Sequence, residues 1–126
     1  MAHVLVIQRH AHLATEVRSE YVGGMDGRIA KARLTVISNS RWGKGESRNE
    51  EATSISWTVW GDQAENAAQY LGKGSHVNIV GRLRTYRKEG ETLHRIGFVA
   101  EEIDYLDSRA EAERRRSSTQ QERAQD

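Results

Sequence analysis

The 126-residue chain has no cysteine and no proline, and its lysines and arginines exceed its acidic residues by only one. Without cysteine it can form no disulfide and offers no thiolate to a metal or a substrate, so the fold must stand on packing alone. Such a chain suits a reducing compartment, and the cytoplasm is the expected location. Long apolar runs are also missing. The start, MAHVLVIQRH, holds four consecutive apolar residues, with basic and histidine residues after them rather than before. That is too short to span a membrane and has the wrong flanks for a signal peptide, so it reads as a strand. The missing proline points to no particular function. A chain of this length makes one domain with a modest core and room for a tail.

The near-neutral balance looks unpromising for a partner of nucleic acid until it is divided along the chain. Residues 1–106 carry 14 Lys and Arg against 13 Asp and Glu, and residues 107–126 carry 5 against 5. Phosphate binding depends on placement rather than on the sum. Across residues 28–38, Ala30, Ala32, Leu34 and Val36 form an apolar row, while Lys31, Arg33, Thr35 and Ile37 form the opposite one. In residues 54–60, Ile55, Trp57 and Val59 alternate with Ser54, Ser56, Thr58 and Trp60. From His76 onward, Val77, Ile79 and Leu83 alternate with Asn78, Arg82, Arg84 and Tyr86, and Gly81 permits a bend between them. Period two makes each segment a strand with one buried and one wet face. The wet faces collect cations and aromatics.

Gly61 breaks the second of these patterns, and Asp62 is expected to cap a helix over residues 62–71 with Ala64, Ala67, Ala68 and Leu71 on one side. Gly72, Lys73 and Gly74 supply its end. Strands are expected near 3–10, 28–38, 53–60, 76–86 and 92–100. Glycine-rich or polar clusters at 22–27, 41–51 and 87–91 mark turns, the second being a longer mobile loop. The expected fold is all-β: a five-stranded Greek-key OB-fold barrel with one short helix between strands 3 and 4. The binding domain covers residues 1–106. Beyond Leu106 no apolar residue is larger than alanine, so 107–126 is expected to be a disordered charged tail.

The segment from Trp57 to Arg84, WTVWGDQAENAAQYLGKGSHVNIVGRLR, with ISNSRW upstream and VAEEIDYLDS downstream, resembles the bacterial-type single-stranded DNA-binding proteins. The resemblance spans about residues 3–107. It implies sequence-tolerant binding of single strands, work in DNA replication, recombination or repair beside the bacterial nucleoid, and a homo-oligomer of barrels, tetramer or dimer. The chemistry suits that task, since aromatics stack on unpaired bases while Lys and Arg follow the phosphates.

The candidate DNA-binding residues follow. Trp42 comes after a polar strand end and before a glycine-rich loop, where an indole has no core to enter; the resemblance implies that it stacks on DNA. Trp60, on a polar row, is read either as a second stacking platform or as a subunit contact, and Trp57 belongs to the core. Ser54 stands where many relatives have a stacking tryptophan, and Lys88 where relatives often have an aromatic, with Tyr86 as its substitute. Lys31, Arg33, Arg82, Arg84, Arg87 and Lys88 are the expected phosphate contacts. Tyr70, Asn78 and His76 are read as oligomer contacts, with plain surface packing as the other reading. The first strand lacks the glycine and the Asp-Pro-Glu common in relatives, keeping only Glu16, Val17 and Arg18.

Other chemistries find little support. His10 and His12 have neither cysteine nor an acidic partner at ligand spacing, so no metal or other cofactor is expected. Gly43-Lys44 and Gly72-Lys73 lack the upstream glycine of a phosphate loop, and no nucleophilic triad is evident. The chain reads as a non-enzyme with no membrane association. It ends QQERAQD without the acidic, apolar-tipped terminus of relatives, which puts recruitment of repair enzymes through that tip in doubt, while Arg114, Arg115 and Arg116 offer a weak phosphate contact or a plain spacer. RNA is a further candidate ligand. A primosomal-type OB-fold module that bridges other replication proteins is the alternative function.

Overall fold

A computed structural model describes residues 3–23, 27–45 and 49–107. The expected tail with its arginine run, apart from its first residue, lies outside them, as do residues 24–26 and 46–48 of two expected turns. The described residues form six strands and one helix: β1 (Val4–Leu13), β2 (Arg18–Val22), β3 (Ile29–Trp42), β4 (Asn49–Trp60), α1 (Asp62–Tyr70), β5 (His76–Tyr86) and β6 (Arg95–Tyr105). Neighbouring strands run β1-β5-β6-β4-β3-β2, and β1 also pairs β3 through His12 and Leu13. The ring β1-β5-β6-β4-β3 therefore closes on itself as the five-stranded Greek-key barrel expected from the sequence. All its pairings are antiparallel except β4 with β6. A sixth strand, β2, lies outside the ring along β3.

The core is built from the apolar rows. Ala30, Ala32, Leu34 and Val36 of β3, Trp57 and Val59 of β4, and Val77 and Ile79 of β5 are all buried. Ala11 and Leu13 of β1, Ala100 of β6 and Ala64, Ala67 and Leu71 at the helix complete the cluster. Gly81 is required where β5 crosses this core, because a Cβ there would stand 2.1 Å from the Val99 carbonyl oxygen and 2.6 Å from the Trp57 ring. The β5–β6 register shifts between Val80 and Gly81, the bend anticipated at this glycine.

Several local expectations are corrected. Gly61, not Asp62, holds the N-cap position of α1; with φ 68° it makes the turn, and its carbonyl accepts from the amides of Ala64 and Glu65 at 3.0 and 3.2 Å. Asp62 lies inside the first turn and bonds no orphan amide through its side chain. It does place a negative charge at the positive end of the helix dipole. Ala68 is exposed, because the buried stripe runs through Ala64, Ala67 and Leu71. The helix ends at Tyr70 with Leu71 extended, and Gly74 is the residue with positive φ, 89°. Arg41, Trp42 and Asn49–Glu51, expected in a loop, are paired residues of a long hairpin. β1 bends without glycine: His10 takes φ 50°, the β1–β5 register shifts between Gln8 and Ala11, and the His10 amide donates to Asn78 Oδ1 at 2.8 Å.

Candidate nucleic-acid interface

The outward rows of four neighbouring strands converge on one face. On β3 and β4, Lys31 lies opposite Trp60 and Arg33 opposite Thr58. β6 follows, with Val99 beside Thr58, and then β5, with Gly97 opposite Arg84 and Arg95 opposite Tyr86. Together they frame an open groove of about 510 Å³, and Lys31, Arg33, Trp60, Arg84, Tyr86 and Lys88 all contribute to its wall. Ser56, Thr58 and the apolar Ile96, Phe98 and Val99 make its floor and rim.

Within the groove Trp60 and Tyr86 are each coupled to a cation, while the third aromatic, Phe98, packs edge-on against Trp57. The Lys31 ammonium lies 5.3 Å from the centre of the Trp60 ring, and the Arg84 guanidinium 5.5 Å from that of Tyr86. Such pairs hold the positive charge beside the ring and keep its head in water. A base laid on the aromatic would therefore have a cation at hand for its phosphate. At the β5–β6 turn, Arg95 forms a fork with Glu91, its Nη2 and Nε donating at 2.6 and 2.9 Å. This hydrogen bond holds the Glu91 carboxyl below the usual carboxylate range and raises Arg95 in turn.

Six of the nine residues expected to touch DNA are thus gathered in one place. The other three lie elsewhere. Arg82 is engaged with Glu101 at 3.6 Å and takes no part in the groove wall. Arg87 is exposed just past the end of β5. Trp42 lies opposite Asn49 at the far end of the β3–β4 hairpin, about 36 Å of extended strand from Lys31 at ~3.3 Å per residue. It is half exposed, and by strand alternation it continues the row of Leu34 and Val36 rather than that of Lys31. Beside it, Arg41 pairs with Glu50 at 3.1 Å.

The residues expected at an oligomer contact form a separate set. His76 stacks on His12, centroids 4.6 Å apart and rings 7° from parallel, with His10 5.7 Å away. Asn78 is occupied by the His10 amide. Tyr70 is exposed at the end of α1, close enough to Tyr105 to act with burial in raising that phenol's pKa. No group of three His, Cys, Asp or Glu side chains is placed so as to hold a metal ion among the described residues. Sequence reasoning missed Ile96, Phe98 and Val99 in the groove, although the GFV run of β6 is the parallel neighbour of β4 that completes the face.

The model of the single-strand binding protein family matches residues 18–106. The chain belongs to that family. Single-stranded DNA-binding protein 2 of Streptococcus agalactiae serotype V is 41% identical over 81 residues, 63% of this chain and 61% of that protein. Single-stranded DNA-binding protein 1 of Clostridium acetobutylicum is 38% identical over 85 residues, 65% of this chain and 76% of that protein. Among solved structures, the wild-type single-stranded DNA binding protein from Thermus aquaticus superposes with a TM-score of 0.65 at 24% identity, covering 87% of this chain and 52% of that one. This last likeness speaks for the fold alone. The matches thus span about three fifths of the Streptococcus relative and half of the Thermus chain. The family match begins at Arg18 and leaves out β1.

Proposed function

We propose that the chain binds and protects single-stranded DNA, tolerant of sequence, during replication, recombination or repair. Bases stack on Trp60 and Tyr86 while Lys31, Arg33, Arg84 and Lys88 take the phosphates. The observation that carries this reading is the coupling of two groove aromatics to a cation each, Lys31 to Trp60 and Arg84 to Tyr86. Family membership and the names of the relatives support it. Stacking is worth about 1–3 kcal/mol per base and reads no sequence, because every base has a π-face. The groove is open along its length, which suits a flexible strand better than a rigid duplex. Trp42 is a separate platform on this reading, reached only by a strand long enough to follow the hairpin.

We further infer that barrels associate through β1. Its outward face exposes Leu5 and Ile7, with Val80 of β5 opposite Ile7. Residues Val4–Gln8 pair β5 on one side and no strand on the other among the described residues. An apolar face on an open sheet edge invites a partner.

Titration with oligo-dT tests the binding function. Tryptophan fluorescence should be quenched, affinity should fall as salt rises, and a duplex of equal length should compete poorly. Competition with oligo-U measures how far the site accepts RNA. A bridging module would show little quenching.

A further inference from the structure

Along the outer border of β3 a second hollow, of about 230 Å³, is lined by Arg18, Ser19, Glu20, Lys31, Ala32 and Arg33. It shares Lys31 and Arg33 with the main groove, so the two adjoin across β3. Its distinctive feature is a pair of like charges: Arg18 of β2 stands directly opposite Arg33 of β3. Like charges directly opposite on an antiparallel pair are destabilising. Neither arginine is engaged in an ion pair among the described residues, and both are exposed. Glu20, two residues along the same face and opposite Lys31, forms no ion pair there either. The purely cationic end of the hollow is therefore at Arg18 and Arg33, while the other end, where Glu20 faces Lys31, carries one charge of each sign.

We propose that Arg18 and Arg33 form a phosphate subsite that carries the single strand out of the Trp60 groove and over the β2–β3 edge. The proposal rests on the function proposed above and extends its path. Two guanidiniums side by side present two planar forks, a geometry suited to clamping one phosphate or two successive ones. The bound anion removes the like-charge repulsion that the free protein carries. β2 buries none of its residues fully, and its place outside the ring presents Arg18 to solvent. Glu20 marks the limit of the path by repelling any phosphate that strays along the edge.

The test uses the full chain and an oligo-dT series spanning the ~4–16 nucleotides that an OB barrel covers. Trp60 quenching serves as the readout, since Arg18 lies outside the groove wall. Arg18→Gln should bind the shortest oligonucleotides as the parent does and the longer ones several-fold more weakly, with a salt slope smaller by about 0.7 for each phosphate it no longer neutralises. Glu20→Gln should bind the longer oligonucleotides more tightly. Relief of the repulsion should leave Arg18→Gln at least as heat-stable as the parent without DNA, which a merely structural arginine would not. The subsite is refuted if Arg18→Gln matches the parent in affinity and salt slope at every length, or if it melts lower and weakens all lengths equally; the main groove then stands without it. Failure of the parent to bind any member of the series would overturn the proposed function itself, and the subsite with it.

Discussion

The indole nitrogen of Trp57 donates to Oε1 of Gln8 at 2.8 Å, in the middle of a core where both side chains are almost fully buried. The amide nitrogen of Gln8 in turn reaches the Val36 carbonyl, Ser38 Oγ and the Thr53 carbonyl at 3.1, 3.2 and 3.3 Å. One side chain of β1 thus ties together β3 and β4 at the barrel's centre. Gln8→Leu keeps the volume and removes every one of these bonds, leaving the indole N–H buried and unsatisfied. The expected cost is about 1–3 kcal/mol in urea denaturation, with oligo-dT affinity unchanged. A cost near zero would mean that water or a shifted neighbour satisfies the indole.

Gly81 is a second place where the barrel permits no alternative. A methyl group at this position meets the Val99 backbone and the Trp57 ring, neither of which is the far end of a flexible chain. Gly81→Ala should destabilise by about 3 kcal/mol or more, at the upper end of overpacking effects. Gly27 provides the control. Among the described residues nothing lies within 4 Å of its would-be Cβ, and it is not among the positive-φ glycines, so Gly27→Ala should be neutral or stabilising by about 0.4–1 kcal/mol through the unfolded chain. Paired denaturation curves decide between them.

These two sites show what kind of structure alternation can reveal. The division of β4 into a buried Trp57 and an outward Trp60 was legible because one face of that strand lies against the core, and burial writes period two into the sequence. The same holds for β5 and the middle of β3. It fails for β2, RSEYV, whose side chains are exposed or only partly buried, so no apolar row marks it. It fails again at the ends of the β3–β4 hairpin, where NSRW and NEEA pair beyond the core with both faces wet. There backbone hydrogen bonds, not burial, make the strand. The site divided along the same line. Residues on rows flanking the core could be placed on one groove, whereas the pairing of Arg82 with Glu101 and the distance of Trp42 from Trp60 depend on bulges and strand lengths that no alternation records.

Tyr105 supplies a pH prediction. Burial is the first cause of its raised pKa, and the neighbouring Tyr70 the second. A phenol whose folded pKa lies above its unfolded value near ~10 binds its proton more tightly in the native state. The native state therefore holds more protons than the unfolded one in that window, and stability falls as pH rises from about 10 through the folded pKa. Tyr105→Phe should remove this part of the alkaline loss. Urea midpoints measured from neutral to strongly alkaline pH should decline less steeply for the variant than for the parent. Parallel declines would show that other groups carry the effect.

Trp60 and Trp42 should separate by the length of DNA they sense, because the hairpin holds them at opposite ends. Trp57 is buried and should report little, so quenching by short oligo-dT must come from Trp60. Trp60→Ala is expected to abolish most of that quenching and to weaken binding by about 1–3 kcal/mol for the missing stack, roughly a five- to 150-fold change in affinity. Trp42→Ala should leave short oligonucleotides untouched and weaken only those long enough to run along the hairpin. Far-ultraviolet circular dichroism of each variant checks that the barrel persists. Should both variants bind every length as the parent does, neither tryptophan stacks on DNA and the assigned face is wrong. Should Trp42→Ala weaken short and long strands alike, the hairpin folds back towards the groove when DNA binds, and the two platforms act as one site.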